Sequence, residues 1–197
     1  MSTARAVLAL TLCLLLAACA GPAPSPGTTG SAPEPAAAAV PAAAAPVPPD
    51  PARIYADLLG RSEDIARVTR TPKDFDGRNV VFYGVRGGDL RGIDGKFSLP
   101  LATPDGRTAI AATERPVANQ LYLVLTDDFA REARERRLLT GGAARGPIFV
   151  ECRVTAQTTT RVTTYPCDVE KLVVIANDRV AESLTRGRNG ALEYYRY

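Results

Sequence analysis

Apolar and polar positions change their spacing several times along this chain, and each change marks an element. Residues 148–156 alternate strictly: Ile148, Val150, Cys152, Val154 and Ala156 point one way, Phe149, Glu151, Arg153 and Thr155 the other, the period of a strand. Leu121 to Leu125 is apolar throughout, as in a strand buried on both faces, and Asn79 to Val85 is apolar on both faces too. Asp50-Pro51 starts a helix, with an acceptor at the cap and proline at the first helical position. Ile54, Tyr55, Leu58, Leu59 and Ile65 keep helical spacing to about Val68, with Gly60 a weak point and Thr71-Pro72 the stop. A second helix comes after Thr126, with Asp127 and Asp128 in its first turn, the pairs Asp127/Arg131 and Glu132/Arg136, and Gly141 at its C-cap.

Turn chemistry separates the remaining strands. Asp76-Gly77, Asp94-Gly95 and Pro104-Asp105-Gly106 bound strands at Asn79–Val85, Lys96–Thr103 and Arg107–Ala112. Gly84, Gly87 and Gly88 predict a bend or bulge where the first of these ends. Val169 to Ala176 is the last strong strand. Residues 178–197 show little periodicity and read as a C-terminal tail, ending in the aromatic cluster Glu193-Tyr194-Tyr195-Arg196-Tyr197, which either packs back on the domain or docks on a partner.

The N-terminus has another logic. Arg5 precedes an apolar run from Ala6 to Leu16, broken only by Thr11, which is too short to span a bilayer and has the layout of a signal peptide over residues 1–18. Leu16-Ala17-Ala18-Cys19 resembles the lipobox of bacterial lipoproteins. The resemblance implies cleavage before Cys19 and acyl chains on its thiol and new amino group, several chains giving stable attachment to a membrane. With Ala20 next in line, it further implies the outer membrane facing the periplasm; in a cell with one membrane the same anchor gives its outer face. Residues 20–49 hold nine of the sixteen prolines, eleven alanines and one charge, Glu34, so they form a disordered or semi-extended linker after the lipidated cysteine. At about 3.1 Å per residue, thirty such residues reach on the order of 90 Å.

Residues 50–197 are enough for one domain with one core. Without Arg5 and Glu34 the chain carries 23 basic and 20 acidic residues, a balance that argues against a dedicated polyanion binder. The order helix, strands, helix, two strands resembles the OB-fold over about residues 70–176. That predicts a mainly β domain with two helices: a small OB-like barrel after an N-terminal helix, over residues 51–177, or else an antiparallel α+β sandwich. With Cys13 lost to the leader and Cys19 to lipid, Cys152 and Cys167 remain. In an exported chain they read as a disulfide, with two buried thiols as the alternative. A hairpin with its tip near Thr159-Thr160 places them as cross-strand neighbours.

Candidate chemistry is sparse. The chain has no histidine, which excludes imidazole-activated nucleophiles and histidine-liganded zinc. Gly84 to Asp89 lacks the Gly-Lys-Ser/Thr of a phosphate loop, and Asp89 to Gly95 has Arg91 and Ile93 where calcium needs oxygen ligands. No metal or other cofactor is expected. In the OB-fold the last hairpin and the face of the second and third strands bind oligonucleotides or oligosaccharides. Here that resemblance points to Arg153 and Arg161 beside a threonine-rich hairpin, with Tyr83 and Tyr122 as stacking surfaces. The expectation is a non-catalytic binding or assembly module for an envelope protein or glycan. A carboxylate-based envelope hydrolase and an exported oligonucleotide binder are the alternatives, and export argues against nucleic acid.

Overall fold

The computed structural model describes residues 50–139 and 146–197, so the leader, Cys19, the Pro/Ala tract and Gly141 lie outside the described residues. Helix α1 (Pro51–Arg61) starts as its cap predicts, with Ala52 N–H donating to Asp50 Oδ1 at 3.0 Å. It stops earlier than the apolar spacing implies. Ser62 turns extended, Glu63 N–H donates to the Val81 carbonyl at 2.8 Å, and Asp64 caps a separate helix α2 (Ile65–Arg70). A carboxylate three residues after the break gives the backbone a second N-cap, and a strand edge takes the donor in between. Thr71-Pro72 ends α2 as expected, and a single 3₁₀ turn (Pro72–Phe75) drives Phe75 into the core.

Eleven strands make up one sheet: β1 (Asn79–Arg86), β2 (Arg91–Ile93), β3 (Lys96–Leu99), β4 (Leu101–Ala102), β5 (Ala109–Ile110), β6 (Leu121–Leu125), β7 (Ile148–Val154), β8 (Gln157–Thr158), β9 (Thr163–Ala176), β10 (Arg179–Arg186) and β11 (Leu192–Arg196). Helix α3 (Asp127–Glu135) lies between β6 and β7. The main path runs β2-β3-β6-β9-β7-β1-β4-β5, with β10 and β8 also on β9 and β11 on β10. Every named pair is antiparallel except β6 and β9. The architecture is thus mainly β with three helices among the described residues, an α+β domain.

The ladder is not closed into the barrel that the OB-fold resemblance implied, and the reason lies in one hairpin. Val85 pairs with Ala102, Arg86 with Leu101, and Gly87 N–H reaches the Pro100 carbonyl; beyond them Arg91, Gly92 and Ile93 pair with Ser98, Phe97 and Lys96. Pro100 has no N–H to offer, and residues 87–90 leave the ladder. The β1/β4 half therefore sits near one end of the strand order and the β2/β3 half at the other, joined by chain and not by hydrogen bonds. Gly84 has a steric reason to be glycine: a Cβ there would collide with the Ala102 carbonyl oxygen.

Two apolar clusters use the two faces of the strands. The inner one gathers Val80, Phe82, Leu123, Val150, Cys152 and Cys167 with Val68 of α2 and Phe129 of α3. On the outer face Val81, Phe149, Val173, Ile175 and Val180 lie under Leu58 of α1.

The segment read as a tail is instead a hairpin. Residues 179–185 pair with β9, and 182–186 pair with 192–196. The turn into it is Asn177-Asp178, both residues at positive φ (52° and 55°), the geometry of a two-residue hairpin loop. Thr126 makes no side-chain bond to the backbone of α3; its hydroxyl bonds Asp128, whose Oδ1 accepts from Phe129 N–H at 2.8 Å. Arg137 (φ 59°), and not a glycine, ends the helical stretch, with Leu138 N–H returning to the Ala133 carbonyl at 2.8 Å.

Arg186 of β10 ties the hairpin to α3. Its two Nη groups donate to Asp128 Oδ2 at 3.1 Å and Oδ1 at 3.0 Å, and they also reach Thr126 Oγ1 and the Gly190 carbonyl. The guanidinium, then the Thr126 hydroxyl, hold the Asp128 carboxyl well below the usual carboxylate range. A carboxyl lowered in the fold stabilises it above the unfolded value of about 3.9 and loses that contribution as the pH falls. Asp128→Asn is expected to cost about 1–2 kcal/mol at neutral pH, the lower part of the range for charged hydrogen bonds because the pair is partly exposed. Urea midpoints of the two proteins should draw together as the pH is lowered through the unfolded carboxyl value; a gap that stays constant with pH would sink this account.

Candidate functional site

Where β6 crosses β9 and β3, the outer face carries a third apolar cluster, Ile93, Tyr122 and Val124. Side chains alternate along β6, so Leu121, Leu123 and Leu125 enter the core while Tyr122 and Val124 face out. Pairing builds the surroundings. Tyr122 lies beside Pro166 and Val124 beside Asp168 on β9, and Asp168 lies beside Arg153 on β7. Across the Asp94-Gly95 turn, Lys96 comes back over the face, and its Nζ meets Asp168 Oδ1 at 2.5 Å. Gln157 of β8 closes the far side. The result is a shallow groove of about 150 Å³ lined by Ile93, Asp94, Lys96, Tyr122, Val124 and Gln157, with Pro166 in its floor.

The groove differs from the α1-covered cluster in what lies over it. There a helix packs on the apolar residues; here, among the described residues, side chains of the rim close over the cluster, and the groove above them is open to solvent. The rim is charged: Asp94 and Lys96 line it, and Asp168 is paired to Lys96.

The four expected ligand residues do not form one constellation. Tyr122 is in the groove, but the residue is 3% exposed, so it offers a ligand no open stacking face. Arg153 stands on the same outer face, two strands away, and Arg161 is exposed in the turn after β8, where Thr159 N–H donates to the Val162 carbonyl at 2.9 Å. Tyr83 is elsewhere. It packs against Phe149 with ring centroids 4.9 Å apart, and burial, then Tyr55, raise the pKa of its phenol. It belongs to the seat of α1.

Lys96, Asp168, Gln157 and Ile93 belong to the site without any sequence signal, because only strand pairing brings 93–96, 122–124, 157 and 166–168 together. Asp127 and Asp128, a paired carboxylate on paper, serve the start of α3. Among the described residues no group of three or more His, Cys, Asp or Glu side chains is placed to hold a metal ion, and no helix is long and apolar enough to cross a membrane. The groove offers an apolar floor and a charged rim. No protein-family model matches the chain, and no curated protein matches it.

Proposed function

We propose that this chain is a lipid-anchored, non-catalytic binding module of the bacterial envelope, which holds a segment of a partner protein in the groove of β2, β3, β6 and β9. The observation that carries the reading is the groove over the buried Ile93–Tyr122–Val124 cluster, ringed by charges and with no helix over it among the described residues. A Tyr122 buried to 3% exposure suits an apolar side chain better than a sugar or base, which needs an open aromatic face. That favours a protein over an oligosaccharide or oligonucleotide. Lipidation at Cys19 and a stalk of 30 residues allow such a domain to work away from the bilayer surface.

The test is site-specific photocrosslinking in the native envelope, with the full chain carrying a photoreactive residue at Gln157 or, as control, at Arg188. A discrete adduct from position 157 alone, lost on Lys96→Glu with the fold intact, is the expected result. Equal adducts from both positions, or one indifferent to Lys96→Glu, overturn the groove as the site. Cys19→Ser should move the protein to the soluble fraction; a mutant that stays fully membrane-bound removes the lipid anchor from the proposal.

A further inference from the structure

A second cavity, independent of the groove, opens between the end of α2 and the starts of β6 and β9. It has a volume of about 290 Å³ and is lined by Arg70, Thr71, Pro72, Lys73, Asn119 and Tyr165. Its chemistry is one-sided. No aspartate or glutamate lines it, and neither Arg70 nor Lys73 has a carboxylate within ion-pair distance among the described residues.

The two ends of this donor set are held by the fold. Arg70 Nε donates to the Ala66 carbonyl at 3.0 Å, which fixes the guanidinium and leaves both Nη groups without an acceptor among the described residues. Tyr165 packs its ring in the core with 8% of the residue exposed, and its hydroxyl has no hydrogen-bond partner among the described residues. The hydroxyl itself is not buried: it opens to solvent at the cavity and is free to donate to a ligand. Here the residue lines the cavity. The carbonyl end of α2, a helix of only six residues, sets a small field against the two cations, and two of its carbonyls are taken by the chain's own donors. Ala66 accepts from Arg70 Nε and Thr69 Oγ1, and Arg67 accepts from Thr71 N–H.

A cation is repelled by such a site, and an apolar ligand would leave its donors unmet. A neutral sugar would also need acceptors, which the cavity supplies poorly. What satisfies a guanidinium, an ammonium, a phenol and an amide together is a small anion with several oxygens. We propose that this cavity binds a phosphate group, either free or carried as an ester on a larger molecule.

Calorimetric titration of the detergent-solubilised full chain with inorganic phosphate and with glycerol 3-phosphate tests it and separates the two sources. One saturable site is expected, weakened about tenfold by Arg70→Gln and by Lys73→Gln, the loss of one charged hydrogen bond each. Tighter binding of glycerol 3-phosphate assigns the site to an esterified phosphate, tighter binding of inorganic phosphate to the free ion. Tyr165→Phe should weaken binding severalfold without lowering Tm, since the hydroxyl it removes is bonded to nothing among the described residues. No saturable heat, or affinities indifferent to all three substitutions, overturns the proposal. Lys96→Glu, in the groove, should leave phosphate binding unchanged, so the two sites fail separately.

Discussion

Phe149→Ala is expected to destabilise the domain by about 3–5 kcal/mol, the cost of truncating a buried aromatic. Phe149 is 1% exposed and sits at the centre of the outer cluster. Tyr55 of α1 meets it edge-on at 5.8 Å, Tyr83 of β1 at 4.9 Å, and Leu58, Val81 and Val173 complete the contact. Its removal costs the transfer energy of the ring, leaves a cavity and takes the footing from α1. Stability of native domains is about 5–15 kcal/mol, so one substitution here removes much of it. Urea unfolding followed by far-ultraviolet dichroism measures the loss, and Phe149→Leu should cost clearly less. A loss below about 1 kcal/mol for the alanine variant would mean that α1 is not seated on this face.

That role is not legible in the alternation that identifies β7 so cleanly. Phe149 shares its side of the strand with Glu151, Arg153 and Thr155, the pattern of a face turned to water. The apolar stripe Ile54, Tyr55, Leu58 shows that α1 needs a surface to cover. Which surface it covers is decided by β1, β7 and β9 lying side by side, a long-range fact that no local period records. The same limit hides the start of β9. The strand expected from Val169 begins six residues earlier, at Thr163, and runs for 14 residues with Pro166 inside it, its carbonyl accepting from Thr155 N–H at 2.9 Å. A strand of that length, paired on both sides, absorbs one missing donor. The turn from β9 into β10 is hidden for a different reason: Asn177-Asp178 is a positive-φ pair that lacks the Asn-Gly or Asp-Gly by which such turns are recognised, whereas the β10–β11 turn does carry Asn189-Gly190.

At the candidate site, only topology tells the two strand tyrosines apart. Tyr83 and Tyr122 each stand in an apolar strand, and nothing near them in sequence says that a helix covers the first and not the second. The glycines are easier, because their demand is local. Gly84 reads as a bend and proves to be a point where the backbone of β4 comes too close for any side chain. Charged residues give least. Lys96 and Asp168 are 72 residues apart, and their pairing across the groove comes from two strand registers.

Loss of the Cys152–Cys167 bridge is the other large effect, and its geometry departs slightly from the spacing argument. A tip at Thr159-Thr160 would set the two cysteines directly opposite. The loop instead centres on Thr160-Arg161, which offsets the register so that Cys152 pairs with Val169 and Cys167 with Val154; a bulge follows only beyond them, at Glu151/Cys152. The cysteines are diagonal neighbours, Cα atoms 5.3 Å apart, close enough to be joined by a disulfide, and both are fully buried. The bridge closes a sequence separation of 15, for which restriction of the unfolded chain contributes about 3 kcal/mol. The double variant Cys152→Ala, Cys167→Ala should therefore lower Tm by roughly 6–12 °C for a domain of this size. Cys152→Ala alone should lose nearly as much, because either change opens the loop, whereas the serine double variant should fare worse by burying two hydroxyls in the core. Calorimetry under non-reducing conditions decides it: equal transitions for wild type and the alanine double variant would show that the hairpin is held by packing alone. Such a dependence would tie folding to an oxidising compartment.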